Sequence, residues 1–192
     1  MNWRVDYKKR IVRALSPVLL ILFRLYFDKS HLTGRHFNPG YSGYLWCIRS
    51  IWTKNILRLG VPLPWPSSHS CIVSNPKNIS FHPDDLNNFQ SPGTYYQNFS
   101  GKIEIGRGTY VAPNVGIITA NHRLDKLSEH LPGSDVSIGA NCWIGMNAVI
   151  LPGVQLGPST IVAAGAVVTK SFPDGYAVIG GIPARILKKL VC

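Results

Sequence analysis

From Ile105 onward this chain of 192 residues repeats with a period of six. Ile105, Val111 and Ile117, then Ile138, Ile144, Ile150, Leu156, Val162 and Val168, put an aliphatic residue at every sixth position in two blocks. The next position is mostly small (Gly106, Ala112, Gly139, Gly145, Gly157, Ala163), and the fourth is often small as well (Thr109, Val115, Cys142, Ala148, Val154, Thr160, Ala166). An α-helix returns to one face every 3.6 residues and a flat strand every two, so neither generates this period. A triangular coil does: one hexapeptide per side, three per turn, turns stacked in parallel so that the large apolar residues form a continuous core. The fold class expected is mainly β, a parallel β-helix over residues 103–170.

Between Asn121 and Val136 the repeat is interrupted by a polar excursion, residues 123–135, that leaves the stack and returns to it. A loop of that length inside a strict repeat marks a functional element. Residues 171–192 break the period with Pro173, Gly175, Gly180, Gly181 and Pro183 and read as a C-terminal cap whose last stretch, Ala184 to Leu190, is a short basic helix. Upstream, residues 67–102 lead irregularly into the coil, with β-like pieces at Cys71 to Val73 and Ile79 to Phe81. Residues 1–66 form an N-terminal α-helical appendage. Ser16 and Pro17 read there as the N-cap and first position of a helix reaching Leu25, and Tyr44 to Leu59 as a second helix closed by Gly60. The alternating prolines of Val61 to Pro66 then force an extended connection.

The net charge of +11 is unevenly placed. Eleven basic and two acidic residues lie at or before Gly60, a net +9 for that segment and +2 for the rest. A basic appendage on a nearly neutral body points to a membrane surface or to a solvated basic face and not to nucleic acid, and its apolar helix would be buried in a headgroup layer, against its own protein or against a partner subunit. The apolar run Ala14 to Phe27, interrupted by Pro17 and Arg24, is shorter than the roughly 20 residues that span a bilayer. It also lacks the cleavage pattern of a signal peptide. Cys47, Cys71, Cys142 and Cys192 show neither a disulfide framework nor zinc spacing, which fits a reducing cytoplasm.

Several segments together carry a resemblance: Ile138-Gly139-Ala140-Asn141-Cys142-Trp143-Ile144-Gly145, Val149-Ile150-Leu151-Pro152-Gly153-Val154, Val167-Val168-Thr169-Lys170 and Gly181-Ile182-Pro183-Ala184-Arg185. The chain resembles the hexapeptide-repeat O-acetyltransferases, the galactoside and maltose acetyltransferase group, over about residues 95–190. Gly34-Arg35-His36-Phe37, Trp46, Ile51-Trp52 and Pro64-Trp65-Pro66 are similar, on fewer residues, to the branch found in capsule, colanic-acid and O-antigen clusters. The resemblance implies a left-handed coil, acetyl-CoA as co-substrate, no resident cofactor, and a homotrimer with active sites between neighbouring coils. It also implies a sugar or polysaccharide-precursor acceptor, modified at the cytoplasmic face of the inner membrane. A small soluble acceptor (serine, a galactoside, an antibiotic) and a non-catalytic scaffold are the alternatives.

The chemistry can be read independently. Moving an acyl group from a thioester to a hydroxyl needs a base for the hydroxyl proton and a donor for the developing oxyanion. Histidine suits the first task near neutral pH. His122 ends the block Ile117-Ile118-Thr119-Ala120-Asn121-His122 where the excursion leaves the stack, and it falls on the family's Thr-Ala-x-His motif, so it is the expected general base. Its second ring nitrogen would be held by the backbone, Asp125 or Glu129. Asn98, by resemblance, would contact the acceptor or transition state, although its spacing to Ile105 is shorter than in galactoside enzymes; Tyr96 and Asp125 are further acceptor contacts. For acetyl-CoA the resemblance implies Trp143, Met146, Ala164, Gly165, Thr169, Lys170, Arg185 and Lys188. Trp143 points outward by the repeat phase, and Met146 stands where the family usually has serine or alanine. His130, with His122 and His82, lacks the His-x-x-x-x-His spacing of metal-using relatives, so no metal is expected.

Overall fold

A computed structural model describes residues 3–191. Three sheets form the sides of a three-sided coil. The first sheet holds β1 (Ile72–Val73), β3 (Tyr95–Gln97), β6 (Gly116–Ile118), β9 (Val149–Ile150) and β12 (Val167–Val168). The second holds β2 (Ile79–Ser80), β4 (Ile103–Ile105), β7 (Val136–Ile138) and β10 (Gln155–Leu156). The third holds β5 (Tyr110–Val111), β8 (Trp143–Ile144), β11 (Thr160–Val162), β13 (Ala177–Gly181) and β14 (Ala184–Lys189). All pairings are parallel except that of β13 with β14. Gln155 pairs with Ser137, eighteen residues earlier, so one turn is three hexapeptides.

All nine residues of the six-residue series are buried, as are the small residues at the fourth position after them. The corners add a rule of their own. Three positions after seven of the nine aliphatic residues, all but Ile117 and Val168, the backbone enters the left-handed region, at Gly108, Asn114, Asn141, Asn147, Gly153, Ser159 and Gly165. Side chains with a Cβ pay about 1–2 kcal/mol there, least for asparagine, so Gly and Asn dominate these corners. Glycine at the first position has a different reason: a Cβ on Gly145 would come within 2.7 Å of Val162 O and Ala164 N of the next turn.

The parallel sheets extend beyond 103–170, because β1, β2 and β3 pair into them from upstream and β13 from downstream. Between β2 and β3 a 3₁₀ segment, Pro83–Gln90, buries Leu86 and Phe89. Phe89 joins Trp65, Phe81, His31 and Tyr96 in an aromatic cluster that plugs this end of the coil, with ring centroids 4.4–5.2 Å apart. At the other end residues 184–189 are not the expected helix: they form β14, which pairs antiparallel with β13. An unpaired edge of β13 would leave a row of backbone groups open, and that demand outweighs helix propensity.

The appendage also differs from its sequence reading. Helix α1 spans Trp3–Phe23 and runs through Pro17 without starting there. Pro17 has no N–H for the Arg13 carbonyl, and Ser16 Oγ donates to that carbonyl instead at 2.8 Å. Helix α2, Ser42–Ser50, widens into π-helical turns over Ile51–Ile56. It ends at Arg58 (φ 54°), so the left-handed residue is Arg58 and not Gly60. The segment docks through Asp84. Oδ1 accepts from Arg35 N at 2.8 Å and Oδ2 from Arg107 at 2.9 Å, tying the appendage to the coil.

Candidate active site

His122 follows β6 at the edge between the first and second sheets. The partner of Ile103 in β7 is Val136, thirty-three residues on, so the excursion adds fifteen to the ordinary turn. Its base is closed by backbone bonds from Ser134 N to Thr119 O (2.8 Å), Leu131 N to Asn121 O (2.8 Å) and Arg123 N to Glu129 O (2.9 Å). Beneath it Gln97 acts as a clamp. Its Oε1 accepts from Thr119 N (3.1 Å) and Ala120 N (3.0 Å), and its Nε2 donates to Ala120 O (3.1 Å). Buried, and bonded through both its oxygen and its nitrogen, this amide fixes the backbone two residues before His122. Gln97 was missed because a glutamine beside two tyrosines gives no sequence signal of such a clamp.

The His122 ring is exposed, and its Nδ1 lies 2.7 Å from Leu127 O. A carbonyl only accepts, so Nδ1 carries the hydrogen and Nε2 keeps its lone pair, the tautomer a general base needs. The partner is therefore backbone and neither expected carboxylate. Asp125 is held by Arg123 through both oxygens at 3.0 and 2.6 Å, which pulls its carboxyl below the usual range. Glu129 pairs with Lys126 and lies 3.9 Å from Arg123. The His130 ring packs against His122 at a tilt of 36° with centroids 4.1 Å apart, and Phe99 meets His130 edge-on at 4.8 Å. His130 thus contributes packing to the site; among the described residues no group of three or more ligands forms a metal site.

Asn98 does not face the site. It is fully buried, with Oδ1 accepting from Asn75 N (2.9 Å) and Nδ2 donating to Asn75 O (2.7 Å). Both functions of the amide join the first two turns, so neither can reach an acceptor. Tyr96 is likewise interior, 1% exposed and packed on Phe89. The corrections share a cause: spacing locates a turn but does not say which way its polar atoms point. Burial also pushes the Cys47, Cys71 and Cys142 thiols up, which removes them as nucleophiles.

The residues expected to hold acetyl-CoA fall on two edges. Met146, Ala164 and Gly165 follow β8 and β11 at the edge between the third and first sheets, beside exposed Trp143. Gly165 N donates to Met146 O at 2.9 Å, so this amide and this carbonyl are a rung of the coil. The space where a Gly165 Cβ would stand is open, leaving a flat ledge. Thr169 and Lys170 follow β12 and so share the His122 edge, two turns and about 10 Å along it by ordinary strand spacing. Arg185 and Lys188 stand exposed on β14.

Outward-facing residues distinguish the sides. The second sheet presents Ser80, Glu104, Ser137 and Gln155 in register. The first presents Ile72, Tyr95, Gly116, Val149 and Val167, and the third Tyr110, Trp143, Ile161 and Val178. One side is polar and two are apolar.

Residues 135–170 match the family described as "Bacterial transferase hexapeptide (six repeats)". The galactoside O-acetyltransferase of Escherichia coli is 34% identical over 106 residues, 50% of this chain and 51% of that protein. An Escherichia coli protein named for lipopolysaccharide biosynthesis O-acetyl transfer is 37% identical over 99 residues, 45% of this chain and 50% of that protein. Among solved structures, a hexapeptide-repeat acetyltransferase of Vibrio cholerae complexed with acetyl-CoA is 33% identical, with TM-score 0.48, covering 52% of this chain and 55% of that one. The chain spans about half the length of these curated relatives.

Proposed function

From a chain that carries the hexapeptide repeat of bacterial transferases and has acetyltransferases as relatives, we propose an acetyl-CoA-dependent O-acetyltransferase acting on a sugar hydroxyl, with His122 as general base. The observation that carries this reading is the His122 Nδ1 to Leu127 O contact of 2.7 Å, which leaves Nε2 free at an exposed edge. Nε2 accepts the acceptor's hydroxyl proton as the oxygen attacks the thioester carbonyl. The tetrahedral intermediate then collapses, the C–S bond breaks, and the CoA thiolate takes the proton from the imidazolium. Asn98 supplies no oxyanion donor, because its amide is spent on Asn75.

The coil is left-handed in this proposal, and three copies associate. The apolar first and third sides support that assembly: each subunit lays its first side against its neighbour's third side, while the polar second side stays in water. Association would also bring the Ala164–Gly165 edge of one subunit toward the His122 edge of another, uniting residues that a single chain keeps apart. Trp143, Met146, Ala164, Gly165, Thr169 and Lys170 would then border the pantetheine arm, and Arg185 and Lys188 the phosphates.

The acceptor we assign is a surface polysaccharide or its precursor. The lipopolysaccharide-related relative supports this, as does the appendage. Leu15, Val18, Leu22 and Leu25 form one exposed apolar row, and Leu45, Ile48, Trp52 and Ile56 another. Exposed Arg10, Arg24 and Lys29 accompany them, a pairing suited to peripheral contact with anionic lipid. Among the described residues no helix is long and apolar enough to cross a membrane. The test is thiol release from acetyl-CoA across serine, galactosides, antibiotics, nucleotide sugars and lipid-linked or polymeric glycans. Release that depends on the glycans names the acceptor class; release only with serine, galactosides or antibiotics contradicts it.

A further inference from the structure

Lys54 sits in the π-helical turns and is 2% exposed. Its Nζ donates to Ser67 Oγ at 2.8 Å and to Cys71 O at 3.4 Å, two acceptors for three N–H groups. Among the described residues no carboxylate lies within ion-pair distance of it. Burial pulls its pKa down against a smaller opposing contribution from Cys71, a sign that the charge is held against its solvation preference. Buried charges are ordinarily paired, and a methionine of similar length would pack here without that cost.

Lys54 is also one of the residues lining an open groove of about 560 Å³, together with Asn55, Arg58 and Pro62. Arg58 holds a left-handed backbone that few non-glycine residues adopt, and its side chain is exposed beside the groove. Gly60 keeps the wall thin: a Cβ there would come within 2.5 Å of His69 O and 3.6 Å of the Lys54 stem. Leu59, Gly60 and Val61 also line a second, more apolar cavity of about 430 Å³ with Leu63, Ile72 and Val73. A cationic groove and an apolar cavity therefore share one wall.

We propose that this groove and cavity bind the phosphate head and the first part of the apolar chain of a phosphate-bearing amphiphile. The phosphate takes the unused Lys54 proton, the Arg58 guanidinium and the Asn55 amide; the chain follows Leu59 and Val61. The choice of an amphiphile over a free phosphate rests on the membrane-facing reading of the appendage, and the anion site itself does not. No step of acyl transfer involves it.

The experiment measures binding of the full chain to phosphatidylcholine vesicles with and without phosphatidic acid, for wild type, Lys54→Met, Arg58→Gln and the control Arg49→Gln. The expected result is binding that requires phosphatidic acid and weakens about tenfold or more in Lys54→Met and in Arg58→Gln, as the loss of a charge-assisted hydrogen bond implies, while Arg49→Gln changes it far less. Lys54→Met should melt at or above the wild-type temperature, and Arg58→Gln keeps the test sound should the buried variant misfold. Equal loss in Arg49→Gln would reduce the effect to general surface charge and overturn the site. Unchanged binding in both cavity variants, or no binding by wild type, would overturn it too. Thermal stabilisation by inorganic phosphate that depends on Lys54, without vesicle binding, would overturn the amphiphile and leave free phosphate as occupant. Thiol release with a soluble sugar acceptor should be the same in Lys54→Met as in wild type, so failure of this site and failure of the His122 reading are told apart.

Discussion

The coil and the N-terminal appendage reach stability by different routes. In the coil each hexapeptide position has one job: aliphatic inside, small behind it, left-handed at the corner. In the appendage a proline stands inside α1, a helix widens into π turns, a lysine is buried without a counter-charge, and two apolar rows face outward. A repeat that satisfies every local rule leaves no such irregularities, so those of the appendage mark where the chain answers to something besides its own core.

The contrast is sharpest for aliphatic truncation. Ile144→Ala, in the filled coil, should lower stability by about 2–5 kcal/mol, whereas Ile48→Ala on the outer face of α2 should stay within about 0.5 kcal/mol. Equal shifts in urea melts would break the distinction.

A smaller effect concerns the joint between the regions. Asp84 is held below the usual carboxylate range first by the Arg35 backbone N–H, then by Arg107 and His82. A depressed folded-state pKa adds stability that is complete above the unfolded value, about 3.9, and is lost as pH falls through the folded one. Hydrogen exchange below about pH 4 should therefore rise in residues 34–44 before it rises in β7 to β12. Asp84→Asn should cost about 1–3 kcal/mol at neutral pH and flatten that acid limb. Smaller still, Asn147→Ala should cost about 1 kcal/mol by its left-handed backbone and Asn147→Gly almost nothing, read by thermal melts. A reversed order would remove the corner rule.

The sequence made the coil legible because each turn repeats the same physics: the nine aliphatic positions are all interior. The corner rule is carried by Gly108, Asn114, Asn141, Asn147, Gly153, Ser159 and Gly165, a mixture of residue types that gives a weaker periodic signal than the aliphatic series. The first turns were legible only as β-like pieces at Cys71 to Val73 and Ile79 to Phe81, because the Pro83–Gln90 insertion destroys the phase between Ile79 and Tyr96. Ala184 to Lys189 looked helical because its pairing with β13 is a tertiary demand. At the site the position of His122, where the excursion leaves the coil after β6, was legible from the repeat. Asn98 was misread and Gln97 overlooked for one reason: which buried amide serves the backbone depends on direction, and direction is absent from spacing.

The central claim is that His122 Nε2 is the base for acyl transfer. Its most direct measurement compares acceptor-dependent thiol release from acetyl-CoA by wild type and His122→Ala, with CoA binding followed in parallel by calorimetry. The account predicts kcat lower by about a hundredfold or more in the variant, with CoA affinity and melting temperature unchanged. Equal turnover by the two proteins, at equal CoA affinity, would contradict it.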